Sequence, residues 1–343
     1  MFSVDKLREI EKKKKEWQEG TLKESLKRFK ATESPNRFYT PLDIPDFDFL
    51  EKVGFPGEYP YTASTYPSMV PGTGPVKGGG PFAVAGLARA GRYSGYATAE
   101  DTRDYYKDMI ARGWRVGANL AFDLPTQCGY DSDHPMAEGE VGKTGVAINT
   151  LQDMETIFEP FSGDLGLDRV ATNMNINAPA IIMLSMFITV AEKKGIPLNK
   201  LRGTPQNDIL KEYTGRGTYI FPPGPALRLS RDSFVYLRKN VPSLNIISIS
   251  AHFRDGGADS VKSFGYQFSN AIAYAQVAQE GGLDVDDFLP YFTLGTGGCH
   301  TMEILHSIAQ IRASRRVWAK LTRERLKAKD PKSWIVRTIP GRL

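Results

Sequence analysis

Strand-like and helical segments alternate along most of this chain. The strand-like stretches lie at 117–124, 168–176, 201–208, 244–251, 289–295 and 334–338. The helical stretches between them are clearest at 178–195, 228–240, 259–280 and 302–328. Because parallel neighbours require a crossover connection, this order predicts a parallel sheet covered by helices. The number of units predicts an α/β fold of the (β/α)8 TIM barrel type, incomplete in this chain with about six strands.

The helix before the first strand carries signals at both of its ends. In "TAEDTRDYYKDMIARG", Thr98 is a candidate N-cap and Asp101 follows three residues later, as in a capping box. Gly113 provides the stop signal at the other end. We therefore expect a helix between Thr98 and Gly113.

The N-terminal part differs from this regular pattern. Residues 1–30 are charged and amphipathic, which predicts a helix. The following residues carry prolines at 35, 41, 45, 56, 60 and 67 with aromatic residues between them. Proline excludes a long helix or a central strand there, so we expect an extended arm that wraps a neighbouring surface. The expected domains are residues 1–75, the helix and arm, and residues 76–343, the partial barrel that binds substrate.

Composition argues against several kinds of partner. The formal net charge is +5, but the one tight lysine run, Lys12 to Lys15, is interleaved with glutamates and is typical of a solvated helix face rather than of a nucleic-acid site. Two isolated cysteines, Cys128 and Cys299, indicate a reducing compartment. The N-terminus has no apolar signal-peptide core, and the apolar stretch from Ala178 is shorter than the roughly 20 residues that span a bilayer. We expect a cytoplasmic protein with no nucleic-acid or membrane partner.

Several common catalytic motifs are missing. The four histidines offer no zinc spacing, since His300 and His306 are six residues apart, and we predict no metal site. The sequence has no G-x-S-x-G elbow and no G-x-G-x-x-G after the first strand. The glycine-rich stretch 71–91 favours a flexible loop over a phosphate cradle, because Lys77 is not followed by Ser or Thr.

The predicted strands end in polar residues. Barrel enzymes carry their functional residues at the carboxyl ends of the strands, so these residues predict a polar site; some of them could instead satisfy buried backbone groups. Amides, hydroxyls, one histidine and one arginine suit the binding and shielding of a reactive species, as in cofactor-driven radical chemistry, better than they suit hydrolysis. These residues are Asp123 to Gln127, Asn173, Asn175, Asn177, Gln206 to Asp208, Ser248, Ser250 and His252.

Longer motifs make the chain similar to a known family. They are "RFYTPLDI", "GFPGEYPYT", "AFDLPTQCGYDSDHP", "GEVGKTGVAINTLQDM", "GTPQNDILKEYTGRGTYIFPP", "NIISISAHFRDGGA" and "RVWAKL". From about residue 36 to 338 the sequence resembles the catalytic large subunits of adenosylcobalamin-dependent acyl-CoA mutases, the methylmalonyl-CoA mutase family. The resemblance implies a (β/α)8 barrel threaded by acyl-CoA, radical 1,2-migration of the CoA-thioester group, and adenosylcobalamin bound mainly by a separate domain or small subunit.

The resemblance also implies roles for individual residues. Arg216, in "TGRGTY", would hold the free carboxylate of a dicarboxylic acyl-CoA, Tyr93 would wedge between substrate and corrin, and His252 would hydrogen-bond the migrating carbonyl. The remaining substrate-binding positions would be Tyr66, Met69, Asn119, Thr204, Gln206, Asn245, Tyr291 and Thr293. The cofactor-binding positions would be Phe122, Thr144, Gly215 and Arg216.

The sequence departs from the family pattern in four places. Glycines, Gly86 and Gly91, stand where the family's "RPWTIRQY" has arginines, and "SAHF" replaces "SGYHM". "TLGTGGCHTM" replaces the aromatic "SFFWGIGMN", which favours a wider acyl pocket and a malonyl-CoA with a bulky substituent. No D-x-H-x-x-G follows "WIVRT", so we expect no cobalamin-binding domain here and a further chain that completes the barrel, or a truncated copy. The alternative function is a non-catalytic acyl-CoA-binding or assembly subunit.

Overall fold

The structure is a computed structural model that describes residues 3–28, 38–43, 47–67, 94–113, 117–254, 256–295 and 304–339. Its contacts divide the chain into two compact units. One unit comprises Met1–Gly86 and Thr301–Val336, and the other comprises Leu87–His300 and Arg337–Leu343.

The described residues form twelve α-helices and six strands. The helices are α1 Val4–Trp17, α2 Lys23–Arg28, α3 Phe49–Lys52, α4 Ala99–Ala111, α5 Leu124–Cys128, α6 Leu151–Phe158, α7 Ala180–Lys193, α8 Pro223–Asn240, α9 Ser260–Glu280, α10 Val285–Phe288, α11 Ile304–Lys320 and α12 Pro331–Trp334. The strands are β1 Asn119–Ala121, β2 Ala171–Asn175, β3 Arg202–Pro205, β4 Ile247–Ile249, β5 Phe292–Gly295 and β6 Arg337–Ile339.

An aromatic cluster joins α1 to the arm in the first unit. Trp17 stacks on Phe55, and its indole nitrogen donates a 2.6 Å hydrogen bond to the carbonyl oxygen of Pro56. Phe38 and Phe49 complete the ring contacts. The arm thus buries its aromatic side chains against the N-terminal helix.

Helix α11 belongs to the same unit as the arm. Arg315 donates to the carbonyl oxygen of Ala63 at 2.8 Å, and Arg316 donates to that of Glu51 at 2.6 Å. The apolar spacing of residues 302–328 predicts a helix but does not indicate which unit the helix packs on. The boundary expected at residue 75 lies outside the described residues and stays a prediction.

The second unit carries the predicted parallel strands. They form two three-stranded sheets with the orders β1-β2-β3 and β4-β5-β6, all parallel. The sheets are linked by backbone hydrogen bonds from Asn245 N to Gly203 O, at 3.0 Å, and from Ser248 N to Gln206 O, at 2.9 Å. A parallel bridge between Ser94 and Leu120 adds a position beside β1 that the sequence analysis did not predict. The parallel α/β arrangement is confirmed, whereas closure into a barrel stays a prediction.

The observed strands are shorter than the predicted ones. Asp123 caps α5 by accepting from Thr126 N at 3.0 Å, which ends the first strand segment early. Asn207 has a φ of 49°, which ends the third. The last strand was predicted at 334–338, but its predicted start falls at the end of helix α12. Asp330 caps this helix and Pro331 is its first residue, so the strand begins only at Arg337. Two of these corrections come from a capping carboxylate, and the third comes from the left-handed backbone at Asn207.

The capping box predicted before the first strand is confirmed. Thr98 Oγ1 accepts from the backbone N–H of Asp101, and the Asp101 carboxylate accepts in return from the backbone N–H of Thr98. These two bonds satisfy amides that have no partner inside the helix. Helix α4 accordingly begins at Ala99, directly after its cap.

One face of the first sheet is polar. Along β2, Thr172 and Met174 are buried, while Asn173 and Asn175 are half-buried and point to the opposite side. Gly203 has a φ of 145°, and a Cβ there would lie 1.7 Å from the carbonyl oxygen of Thr172, so only glycine fits beside β2. The close approach lines up the polar residues of β1, β2 and β3.

Asp208 ties β3 to β4 and α9. Its carboxylate is fully buried and accepts from Ser250 N at 2.7 Å and from the Tyr274 hydroxyl at 2.8 Å. The Tyr274 oxygen in turn accepts from Leu210 N at 2.8 Å. Burial raises the pKa of Asp208 to about 6, against the lowering effect of these hydrogen bonds.

Replacing Trp17 with alanine should destabilise the first unit. The variant removes a large buried side chain and its hydrogen bond, which costs about 3 to 5 kcal/mol of unfolding free energy. The measurement is urea unfolding followed by far-UV circular dichroism. Lys15→Ala, at an exposed position on the same helix, is the control. Equal midpoints for the two variants would contradict the packing of α1 on the arm.

Asp208 should make stability fall as pH rises. Its pKa in the folded protein, about 6, lies above the ordinary 3.8, so the folded state holds the proton more tightly than the unfolded chain. The stabilisation is complete below pH 3.8 and is lost as pH rises through 6. Between pH 4.5 and 7.5, the wild type should lose about 2 kcal/mol relative to Asp208→Asn, which cannot ionise.

Urea titrations of both proteins at the two pH values measure this difference. Asp164→Asn, an exposed carboxylate paired with Arg169, is the matched control and should track the wild type. Parallel declines in the wild type and Asp208→Asn would show that Asp208 is not the titrating group.

Candidate functional site

Polar side chains converge just beyond the carboxyl ends of β2 and β3. We call this group the Glu212 cluster, and it is built on the segments that leave the two strands. It comprises Asn177, Gln206, Lys211, Glu212 and Arg216.

A single π-helical turn, Glu212–Arg216, shapes the cluster. The turn closes with a 2.8 Å hydrogen bond from Gly217 N to Glu212 O, and Gly217 has a φ of 90°, which favours glycine. The wide turn brings the Arg216 side chain back over that of Glu212. Arg216 Nη2 lies 2.9 Å from Glu212 Oε1, and Nε lies 3.2 Å from Oε2. This two-point contact fixes the plane of the guanidinium group.

Arg216 has one buried edge and one solvent-facing edge. Its Nη2 also donates to Gln127 Oε1 at 2.6 Å and to Thr218 Oγ1 at 3.3 Å. Gln127 lies on α5, directly after β1. The Arg216 side chain is 31% exposed, whereas that of Glu212 is 0% exposed. Within the described part of the chain, Nη1 has no hydrogen-bond partner, so it can take an external acceptor.

Two cations flank the buried Glu212 carboxylate. Lys211 Nζ lies 2.8 Å from Glu212 Oε1, and the Lys211 side chain is also fully buried. Burial alone would raise the pKa of Glu212, but Lys211 and Arg216 hold it below its usual value. Burial and the charge of Arg216 lower the pKa of Lys211. With all three ionised, the group carries one excess positive charge.

The amide of Gln206 has a defined orientation. Its Oε1 accepts from Asn177 Nδ2 at 2.9 Å and from Lys211 Nζ at 3.1 Å. A lysine ammonium can only donate, so the atom facing it must be the amide oxygen. Gln206 therefore presents its NH2 group away from the cluster, as a donor.

His252 lies on the loop after β4, next to the π turn. It opens the 3-10 turn His252–Arg254 and is half-buried. A Cβ on Gly215 would lie 3.2 Å from the His252 carbonyl oxygen. The absence of a side chain at Gly215 thus lets the Arg216 turn approach the His252 turn. This contact within the chain explains why the residue is glycine without requiring the approach to corrin that the resemblance implies.

A second polar group runs along the strands themselves. Asn245 Nδ2 donates to Thr204 Oγ1 at 2.8 Å, and Arg337 Nη1 donates to Asn245 Oδ1 at 2.9 Å. Asn119 Oδ1 accepts from Asn175 Nδ2 at 3.2 Å. These residues lie on or just before the strands, nearer their amino ends than the Glu212 cluster. Thr293, on β5, donates to Ile247 O at 3.0 Å.

The remaining sequence-predicted residues are dispersed. Phe122 is fully buried, and Thr144 is exposed on the loop whose Val146 bridges to Phe122. Tyr291 precedes β5 and lies under the Arg238 guanidinium, 3.5 Å from ring centroid to Cζ. Tyr66 is exposed and belongs to the first unit. Tyr93 and Met69 lie outside the described residues.

Sequence reasoning missed Lys211 and Glu212. The only available signal was the i, i+4 spacing of Glu212 and Arg216 in "KEYTGR", which is usual for exposed helix pairs. Nothing in the sequence marks this pair as buried. Gln127 and Asn177 were singled out only as polar strand ends, without partners.

In the described ranges, no group of three His, Cys, Asp or Glu side chains is placed to hold a metal ion. None of the helices that the structure describes is long and apolar enough to cross a bilayer.

Comparison with known proteins gives consistent matches. The sequence model of the family named methylmalonyl-CoA mutase matches residues 30–340. A 2-hydroxyisobutanoyl-CoA mutase large subunit from Aquincola tertiaricarbonis is 36% identical, covering 96% of this chain and 57% of the relative. A methylmalonyl-CoA mutase large subunit from Streptomyces virginiae is 37% identical, covering 88% of this chain and 38% of the relative.

The human mitochondrial methylmalonyl-CoA mutase is 37% identical to this chain. The aligned region covers 82% of this chain and 35% of the human protein. The chain therefore spans between 35% and 57% of the length of these three relatives. The family match extends over most of the chain, including both sheets and the Glu212 cluster. The chain belongs to the methylmalonyl-CoA mutase family.

Proposed function

We propose that this chain is the substrate-binding, catalytic part of an adenosylcobalamin-dependent acyl-CoA mutase. Its substrate would be a dicarboxylic acyl-CoA, and the reaction would be the 1,2-migration of the CoA-thioester group between a malonyl-CoA and a succinyl-CoA. The observation that carries the proposal is Arg216, which is held by the buried Glu212 but keeps a solvent-facing edge. That edge can receive a carboxylate through charge-assisted hydrogen bonds.

Neighbouring groups support the same substrate class. The excess positive charge of the Glu212 cluster favours an anionic ligand, and the Gln206 NH2 group offers a further donor. His252 lies on the adjoining loop, and its side chain would donate to a thioester carbonyl as charge develops on the carbonyl oxygen. Donors without a strong general base suit the orientation and shielding of a reactive substrate.

The polar residues along the strands fit a long ligand. In the proposed barrel, the side chains of Asn119, Thr204, Asn245 and Thr293 would line the axis below the Glu212 cluster. A linear acyl-CoA needs hydrogen-bonding groups along its length, and these four residues provide amides and hydroxyls. Tyr66, Met69 and Tyr291 remain proposed contacts outside this line.

The cofactor would lie at the carboxyl ends of the strands. Thr144 is exposed, and the residues on either side of Arg216 are glycines, half-buried Gly215 and exposed Gly217, whose lack of side chains would leave room for a flat ring there. When bound, adenosylcobalamin supplies the organic radical that starts the rearrangement. The residues that would position the cofactor are Phe122, Thr144, Gly215 and Tyr93. The loops that follow β1 and β3 would exclude water around the cofactor.

A partner subunit would hold most of the cofactor. Two relatives are named large subunits, which favours a small-subunit partner for this chain as well. We propose a cytoplasmic location.

The short residues of "TLGTGGCHTM" favour a bulky substituent on the malonyl-CoA. A non-catalytic acyl-CoA-binding subunit is the second candidate, favoured by the missing arginine pair before Tyr93.

Arg216→Gln should remove the preference for a dicarboxylic substrate. The amide loses the charge and the two-point geometry, so kcat/KM for methylmalonyl-CoA should fall about 100-fold, or about 3 kcal/mol. Binding of butyryl-CoA, which has no second carboxylate, should change little. Arg169→Gln, at an exposed arginine of the same unit, is the control. Unchanged turnover of methylmalonyl-CoA would contradict the assignment of Arg216.

Native mass spectrometry of the tagged protein from its own cells tests the assembly. We expect a co-purifying chain that carries a cobalamin-binding histidine motif. A stable monomer with no isomerase activity on addition of adenosylcobalamin would favour the non-catalytic alternative.

A further inference from the structure

We propose that the buried Lys211–Glu212 ion pair is a positioning device that makes this site selective for a carboxylate. It would fix the plane of the Arg216 guanidinium group and force Gln206 to act as a donor. The inference rests on the proposed function, because it names the residues that give Arg216 and Gln206 their roles. Neither Lys211 nor Glu212 would touch the substrate.

The first step of the argument is the burial of both charges. The side chains of Lys211 and Glu212 are 0% exposed, and their charged atoms are 2.8 Å apart. A buried ion pair loses its hydration, and a well-packed apolar pair of similar volume is often as stable. Stability alone is therefore a weak reason for placing this pair next to a candidate site.

The second step is the number of donors that hold Glu212. Besides Lys211 and Arg216, its carboxylate accepts from Asn177 Nδ2 at 2.5 Å, from Thr218 Oγ1 at 2.6 Å and from Thr218 N at 3.2 Å. A carboxylate bound from so many directions cannot rotate freely. The Arg216 guanidinium group contacts both oxygens of this carboxylate, so its orientation is fixed as well.

The third step is the orientation of Gln206. A glutamine amide without fixed partners can rotate by 180° and exchange acceptor for donor at little cost. Here two donors, Asn177 Nδ2 and Lys211 Nζ, face Gln206 Oε1, and Lys211 adds the larger penalty because an NH2 group in the rotated form would face an ammonium. The site therefore presents donors, from Gln206 and Arg216, and it disfavours ligands that would donate to it.

The experiment uses the double variant Lys211→Met/Glu212→Gln in the full protein with its co-purifying partners. The double substitution avoids leaving one buried charge unpaired. It also conserves the net charge of the cluster, because one positive and one negative group disappear together and Arg216 remains. A simple attraction of charge thus predicts no change in selectivity, whereas loss of positioning predicts a change.

The probes are succinyl-CoA and butyryl-CoA, which have acyl chains of equal length and differ in the terminal carboxylate. Dissociation constants come from isothermal titration calorimetry, and kcat and KM are measured for methylmalonyl-CoA turnover. In the double variant, the preference for succinyl-CoA should fall at least 10-fold, through weaker binding of succinyl-CoA only. The KM for methylmalonyl-CoA should rise more than kcat falls.

The matched control is Lys107→Met/Glu159→Gln. This pair has a similar spacing, 2.9 Å, and lies in the same unit, but both side chains are about half exposed. The same chemical change at this position should leave the preference for succinyl-CoA unchanged.

The outcomes separate the inference from the proposed function. If the wild type does not prefer succinyl-CoA, the proposed function fails. If the wild type prefers it and the folded double variant keeps the preference, only the inference is overturned. Should the double variant not fold, Thr218→Val decides, because it removes one donor to Glu212 and one acceptor for Arg216, both part of the restraint on the guanidinium group, without removing a charge. That variant should lose several-fold of the preference, and an undiminished preference would overturn the inference.

Discussion

The site depends on one buried carboxylate and the donors that it requires. Glu212 can remain ionised inside the protein only because Lys211, Arg216, Asn177 and Thr218 surround it. Asn177 comes from the segment after β2, and the other three donors come from the segment after β3 that contains the π turn. Satisfying one charge therefore fixes the relative positions of two segments at the carboxyl edge of the sheet.

Asp208 solves the same physical problem in a different way. It is equally buried, but Ser250 N and Tyr274 are its direct partners, and neither carries a positive charge. Burial therefore dominates and raises the pKa of Asp208 to about 6, whereas the two cations lower that of Glu212. Two carboxylates four residues apart are thus driven toward different protonation states. One anchors strands, and the other orients an arginine.

Much of the fold was predictable from the sequence, because local chemistry determined it. Short sequence patterns predicted the capping box at Thr98 and Asp101. They also predicted that the strands are parallel. Strand ends were less predictable, since Asp123 and Asn207 divert the backbone through hydrogen bonding and a left-handed conformation. The pattern of apolar and polar residues does not change at such a point, so the pattern alone does not show where the strand ends.

The candidate site was predictable only in part, for a related reason. Arg216 and Gln206 could be singled out from motifs, but their restraint comes from Lys211 and Glu212. Lys211 is simply the neighbour of Glu212 in sequence, and the i, i+4 spacing of Glu212 and Arg216 is that of an ordinary surface pair. Burial of Lys211 and Glu212 arises from packing between segments that are far apart in sequence. A single sequence contains no local pattern that reports it.

The separation of the two polar groups bears on how such a site can change its substrate. The Glu212 cluster restrains Arg216 at the carboxyl edge of the sheet, while Thr204 and Asn245 lie along the strands nearer their amino ends. No hydrogen bond joins the two groups within the described part of the chain. Under the proposed function, side chains around the acyl group could therefore change in size without disturbing the restraint on Arg216. Carboxylate recognition and tolerance of the substituent would then be independent properties.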